Sequence, residues 1–237
     1  MTKQDKIRYA GACICTSKSF PEDSFLQRKN VIIETDKIFF EMITFGHNAM
    51  IRADKEILDW CIRNFSDTPA MDIMDGDNLY QIEKKLREHG KKLGGEHIRY
   101  LHLNPDTLVQ RPSGFTFELY EKDRMPELYI DSNFDNALNY EEKGEVLAIV
   151  ARKDKDIAAI AAVDNYHPGL WQIGIDTVDD YRGKGLAAYL VKEIAATSER
   201  RNQVPFYTTW SPNIASTRTA ISAGFSPVWM GYFAEDI

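Results

Sequence analysis

Apolar positions along this chain alternate with polar ones or run together in short stretches, and at a few places they space out at helical intervals. Val31 to Glu34, Ile38 to Phe45 and Ala49 to Arg52 are β-rich runs parted by short polar or glycine-containing breaks, which predicts a small antiparallel sheet. Asp54 stands at an N-cap position before Lys55 to Phe65, where Ile57, Cys61 and Phe65 share one stripe. Leu79, Ile82, Leu86 and Leu93 predict a longer helix from about Asn78 to Leu93, stopped by Gly94-Gly95, with Glu83 and Arg87 paired on its outside. His97 to Leu103 returns to the strand pattern.

Asn104-Pro105 through Arg111-Pro112-Ser113-Gly114 has the composition of a connector and sets the expected boundary between a domain of residues 1–112 and a second of 113–237. Beyond it, Thr116 to Tyr120 and Glu145 to Ala151 read as strands around a short helix near Phe134 to Tyr140. Ile157 to Val163 is a continuous apolar strand, and an Asp164 to Gly169 loop leads into the strand Trp171 to Val178. A helix from about Gly185 to Arg201 follows, with Leu186, Leu190 and Ile194 as its buried stripe. Pro205 to Trp210 is a further strand; Ser211-Pro212 offers an N-cap and a first-position proline, Gly224 ends that helix, and Phe225 to Phe233 closes the chain as a strand. Strands mixed with helices in this order indicate an α/β (α+β mixed sheet) class, with a smaller N-terminal α+β domain whose task is not written in motifs.

The 237 residues are 43% hydrophobic, enough for a sizeable core, and a net charge of −7 disfavours general nucleic-acid binding. It suits a cationic or neutral small substrate better, such as a polyamine, an aminoglycoside-like compound or an amino-acid derivative. Cys13, Cys15 and Cys61 do not form a disulfide framework and point to a reducing compartment. Ala10-Gly11-Ala12-Cys13 lacks the preceding apolar segment of a lipoprotein signal, so the expectation is a cytoplasmic protein without a membrane partner. The five histidines show no ligand spacing, so no metal site is expected.

Chemistry enters at Tyr181-Arg182-Gly183-Lys184-Gly185-Leu186-Ala187-Ala188-Tyr189, where a strand gives way to a helix. Glycines let a ligand approach the backbone, the first-turn N–H groups and helix dipole favour an anion, and Arg182 and Lys184 add positive charge. The run has neither the spacer of a Walker loop nor the three spaced glycines of a dinucleotide fingerprint.

Arg182, Gly185 and Ala187, preceded by Ile175-Asp176-Thr177-Val178-Asp179-Asp180-Tyr181, resemble the Gln/Arg-x-x-Gly-x-Gly/Ala signature of the GNAT superfamily of acyl-CoA-dependent N-acyltransferases. Asn213, Ser216 and Gly224-Phe225 match that family's next helix at its spacing. Trp171 to Asp176 and Pro205 to Trp210 are similar to the branch with an extra N-terminal domain.

The resemblance, which spans Gly114 to Ile237, implies acetyl-CoA as co-substrate and an acetyl group moved to an amine of a small molecule or peptide. Ile175, Asp176, Thr177 and Val178 would border its pantetheine arm, Gly183 to Ala187 (including Leu186) would cradle the pyrophosphate beside Arg182 and Lys184, and Asn213 and Ser216 would form the other wall. Asn213 also reads as a plain helix-start residue. Asp176, and Asp164 or His167 in the preceding loop, are the candidate bases. The family tyrosine that protonates the departing thiolate falls at Ala220, which leaves Tyr207, Ser211 or Tyr232 to replace it. A non-catalytic acyl-CoA-binding or regulatory module is the competing expectation, and a homodimer is an assembly open to either.

Overall fold

The computed structural model describes residues 1–130, 133–167 and 169–237, the side chains of Tyr166 and His167 excepted. In chain order the elements are α1 (Lys3–Ser17), β1 (Val31–Glu34), β2 (Phe40–Thr44), β3 (Ala49–Ala53), α2 (Lys55–Phe65), α3 (Ala70–Ile73), α4 (Gly76–Arg87), β4 (Lys91–Leu93), β5 (His97–His102), β6 (Thr116–Glu121), β7 (Glu145–Lys153), β8 (Asp156–His167), β9 (Leu170–Thr177), α5 (Leu186–Arg200), β10 (Val204–Trp210), α6 (Ile214–Ser222) and β11 (Phe225–Asp236). Among the described residues no helix is long and apolar enough to cross a membrane.

Two compact units result, one of Met1–Lys6 with Arg99–Pro227 and one of Ile7–Ile98 with Val228–Ile237. They part elsewhere than at the linear boundary of 112/113. The proline-rich connector is tied down within the first unit: Asn104 N donates to Gly224 O at 2.9 Å, and the Lys192 ammonium donates to Thr107 O. Gly224, at φ +92°, is required there because a Cβ would stand 2.4 Å from Asn104 O.

In the second unit the strand order is β1-β3-β2-β11, with β4 also on β11. The expected all-antiparallel sheet is corrected at its edge, since β1 pairs β3 in parallel (Val31 with Met50, Glu34 with Ala53) while β2 and β3 are antiparallel. Strand runs alone carry no direction of pairing. Asp54 caps α2 as expected, accepting from Glu56 N at 2.9 Å, and Ile57, Cys61 and Phe65 are buried with Phe40, Met42 and Ile51. The predicted helix to Leu93 ends at Arg87 instead. Gly90 turns the chain at φ +69°, and Lys91–Leu93 pairs with β11, Leu93 opposite Ala234. Leu93 keeps helical phase with Leu86, so only the pairing partner reveals the strand. Burial pushes the Cys61 thiol up to about 12, which makes it inert.

In the first unit the order is β5-β10-β9-β8-β7-β6. Register places Ala148, Ala162 and Gly174 in one row and Val150, Ile160 and Asp176 in the next. Those rows face Met125, Leu128, Phe134 and Leu138, which complete a core with Ala148, Val150, Ile160 and Ala162. Alternation turns Ile149, Ala161 and Ile173 to the opposite face. Helix α5 packs on β7 to β10 through Leu186, Leu190, Val191 and Ile194. No helix forms at Phe134 to Tyr140; the segment is a series of turns. β8 extends to His167 and β9 begins at Leu170, so the expected Asp164 to Gly169 loop is mostly strand.

A buried ionic cluster also belongs to this unit. Glu199 Oε1 accepts from Lys6 Nζ at 2.5 Å and lies 3.0 Å from His102 Nδ1, while Lys6 Nζ donates to His102 O at 2.8 Å. Burial pushes the Glu199 carboxyl up, but the hydrogen bonds from His102 and Lys6 outweigh it and hold the group below the usual carboxylate value. A carboxyl lowered on folding adds stability above its unfolded value, and loses it as pH falls through the folded one. Denaturant titrations from about pH 6 to about pH 3 should therefore show a falling midpoint, and Glu199→Gln should shrink that fall.

Candidate functional site

The site begins where two parallel strands stop pairing. β10 and β9 are in register from Val204 with Leu170 to Tyr207 with Ile173, yet β9 continues to Thr177 on its β8 side and β10 continues to Trp210. Gly174 to Thr177 thus face Thr208 to Trp210 across an opened gap, with β9 backbone groups on that side free of the ladder. Thr177 Oγ1 and Thr208 Oγ1 are buried there without a hydrogen-bond partner among the described residues. Buried hydroxyls normally find partners, which makes these two groups candidates for contact with a ligand.

At the end of β9 the chain makes a short turn over Asp179–Tyr181 and enters α5. Gly183 and Gly185 both adopt left-handed backbone, at φ +75° and +77°, and nothing lies within 4 Å of where a Cβ would stand on either. Gly185 is the N-cap and supplies no side-chain cap, so the first N–H groups of α5, from Leu186 onward, are left for an external acceptor. Arg182 is exposed and turned onto its own loop, with NH2 2.9 Å from Asp179 Oδ1 and Nε donating to Thr177 O at 3.4 Å. Lys184 Nζ donates to Asp180 O at 2.9 Å. Both cations are thus engaged by groups of the turn that precedes α5.

Across the gap, α6 starts two residues later than Ser211-Pro212 suggests. Asn213 is the N-cap, its side-chain oxygen accepting from Ser216 N at 3.0 Å. Ser216 Oγ is 2.8 Å from Tyr207 OH, which is 2% exposed. Burial pushes the Tyr207 phenol up; the Ser216 bond opposes this and the charges of Asp176 and Tyr100 add to it. Ala220 is buried inside α6, Tyr232 donates to Glu96 Oε2 at 2.7 Å within the other unit, and Trp210 is exposed.

Asp176 proves heavily engaged. Its Oδ2 accepts from Asn136 N at 2.8 Å and Ala137 N at 2.9 Å, and its Oδ1 accepts from Asn136 Nδ2 at 2.7 Å. Together with Gly174, on which a Cβ would meet Asn136 O at 2.1 Å, it clamps the 136–137 backbone onto β9. Ile175 and Val178 lie on β9 and at its end as expected; the side chain of His167 lies outside the described residues. Sequence reasoning missed the polar cavity of about 190 Å³ beside this clamp, lined by the 135–139 turns and by Glu145, Ala162, Asp164, Gln172 and Gly174. Glu145, Asp164 and Gln172 sit opposite one another on β7, β8 and β9, a row that only the register assembles. Burial and the hydrogen bond to Glu145 raise the Tyr129 phenol, which donates to Glu145 Oε2 at the floor, while Asn139 N donates to Oε1.

A mixed sheet with an opened parallel pair beside a glycine-capped helix is the architecture of an acyltransferase domain. The model of the GNAT acetyltransferase family matches residues 81–228, more than half of the chain, and the chain belongs to that family. No protein of curated function matches it. Among solved structures, a Drosophila protein aligns with a TM-score of 0.50 at 10% identity, covering 69% of this chain and 58% of its own. A GNAT-family protein from Novosphingobium aromaticivorans aligns at 0.45 and 22% identity (61% and 66%). A GCN5-related N-acetyltransferase-like protein from Streptococcus suis aligns at 0.48 and 16% identity (68% and 69%). For the first two, the match spans less than two thirds of the solved chain. At these identities the likeness concerns the fold alone.

Proposed function

We propose that this protein is an N-acetyltransferase that uses acetyl-CoA as co-substrate and acts on an amine of a small molecule or peptide by direct attack on the thioester. The observation that carries the reading is the opened β9–β10 gap with a glycine-capped helix N-terminus at its end and a polar cavity on the 135–139 face. The residues present fit the cofactor. The α5 N–H groups from Leu186 and Ala187, over the open space at Gly183 and Gly185, would hold the pyrophosphate, with Arg182 and Lys184 swinging in from the preceding turn. The free edge of Ile175 to Val178 and the hydroxyls of Thr177 and Thr208 would hold the amide-rich arm, with Asn213 and Ser216 on the opposite wall.

Acetyl-CoA supplies an acyl carbon activated by a thiol leaving group. The amine nitrogen bonds to that carbon as the C–S bond breaks, the amine gives up a proton, and the sulfur accepts one. Tyr207 is assigned the second proton: its phenol, protonated at neutral pH like any tyrosine, is pushed further up by burial, and Ser216 orients it. Asp176 is assigned a positioning task, since three donors already occupy its oxygens. Asp164 remains the candidate base on the cavity side, and His167 the other.

The test is release of free CoA when amines are presented with acetyl-CoA. Tyr207→Phe should lower kcat by about 100-fold or more, with acetyl-CoA binding retained and the high-pH limb of the profile altered. The buried alanine at position 220 favours a second reading, a non-catalytic acyl-CoA-binding or regulatory module. In that case acetyl-CoA stabilises the protein thermally and no amine releases CoA.

A further inference from the structure

Two hydroxyls meet where β10 faces α6. Tyr207 is the last β10 residue in register with β9, it is 2% exposed, and its phenol oxygen lies 2.8 Å from Ser216 Oγ. Ser216 is half-buried in the first turn of α6, directly after the exposed run of Pro212 to Ala215. The Asn213 side chain accepts from Ser216 N at 3.0 Å and fixes that turn. A second buried phenol stands nearby, but Tyr100 OH is 3.5 Å from Thr217 Oγ1, at the outer limit of a hydrogen bond. Among the described residues, Ser216 is thus the hydroxyl that links the Tyr207 phenol to the surface turn of α6.

A thiol titrates near about 8.5 and a free tyrosine near about 10, so a phenol that gives its proton to a thiolate works uphill. Burial and the charge of Asp176 make the Tyr207 phenolate harder still to form, whereas a hydrogen bond from Ser216 favours it. We propose that Tyr207 and Ser216 form a two-hydroxyl relay, in which Ser216 is the positioning residue that passes a proton to the Tyr207 oxygen as Tyr207 protonates sulfur. The relay rests on the acetyltransferase reading and on the task of Tyr207 within it. The C–S bond breaks with its electron pair on sulfur; the phenol proton goes to that sulfur, the Ser216 proton goes to the phenol oxygen, and water at the surface turn returns a proton to Ser216. The net change is one solvent proton taken up by the thiol. No phenolate has to persist in the buried site. A bond that only satisfied a buried phenol would place no demand on its direction, since Tyr207 could donate to any acceptor.

The test is the single-turnover rate of thiol release, with the full chain in excess over acetyl-CoA so that product release does not mask the chemistry. The amine is whichever of spermidine, 2-deoxystreptamine and lysine methyl ester the parent acetylates fastest. Ser216→Ala should slow release by about tenfold, and Ser216→Thr, which keeps the hydroxyl, by no more than about threefold. Ser216→Ala combined with Tyr207→Phe should be no slower than Tyr207→Phe alone, because both act on one proton. The acetyl-CoA dissociation constant of Ser216→Ala, by isothermal titration, should stay within about threefold of the parent. Carbon-13 at the tyrosine Cζ gives a readout free of turnover: the resonance lost in Tyr207→Phe should begin to move toward its phenolate position at higher pH in Ser216→Ala, since the phenolate has lost a donor. An unchanged single-turnover rate in Ser216→Ala, additive losses in the double variant, a loss confined to acetyl-CoA affinity, or an unmoved Tyr207 resonance would overturn the relay and leave the acetyltransferase reading standing. A parent that releases no CoA with any amine overturns that reading and the relay with it.

Discussion

Gly185→Glu should abolish the thermal shift that acetyl-CoA produces, leaving a folded protein. Gly185 holds φ +77° as the N-cap of α5, a conformation that costs an L-residue about 1–2 kcal/mol. That strain alone is tolerable for a domain of ordinary stability. Charge and position make the larger effect. No atom lies within 4 Å of the new Cβ, so the side chain enters the open space before the α5 N–H groups, where its carboxylate caps them and repels a pyrophosphate. Gly185→Ala separates the two causes, since it carries the strain without the charge. Alanine should weaken binding by a fraction of the glutamate effect, measured by titration with CoA. Undiminished binding in folded Gly185→Glu would remove the cradle from this loop.

The second large effect is expected at Gly174→Val. A Cβ there stands 2.1 Å from Asn136 O and 3.0 Å from Ala137 Cα, and both are backbone atoms, so no rotamer change relieves the contact. Asp176 holds the same two residues by three hydrogen bonds, and the clamp and the intruding side chain work against each other. The overpacking should destabilise the fold by about 1–3 kcal/mol. Displacing the 135–139 wall by an ångström should lower kcat/KM for the acceptor by about 100-fold. Acetyl-CoA binding should fall by less than acceptor turnover, because the α5 N–H groups and the turn at Gly183 and Gly185 lie away from the 136–137 contact. Thermal melting with and without acetyl-CoA, beside steady-state kinetics, checks all three. Asp176→Ala should reproduce the kinetic loss with a smaller loss of stability.

These two glycines differ in how openly the sequence shows their work. Gly185 lies in a local signal, because its φ, the following helix and the cation-flanked turn all belong to nine consecutive residues. Gly174 lies within a run that reads as ordinary strand, and its reason is a backbone segment 38 residues earlier. The same contrast holds for the elements. Helix α2, with its Asp54 cap and three-residue stripe, and helix α5, with Leu186, Leu190 and Ile194, were legible because burial on one side imposes a period on neighbours in sequence. Lys91–Leu93 reads as helix because Leu93 keeps phase with Leu86, and its true partner is Ala234. Phe134 to Tyr140 reads as helix by composition and is turned instead by the Asp176 carboxylate. The N-terminal helix α1 left no periodic signature to read.

By itself, then, the sequence determined the amphipathic helices, most strands, the glycine cradle and the family resemblance, all of them local patterns that repeat or cap within about a dozen residues. Only the tertiary structure decided the direction of β1, the course of the chain through two compact units, the engagement of Asp176, and the cavity row of Glu145, Asp164 and Gln172. Each of these is a matter of pairing and register between strands far apart in sequence, and a strand's own residues state which side is buried but not which strand lies beside it.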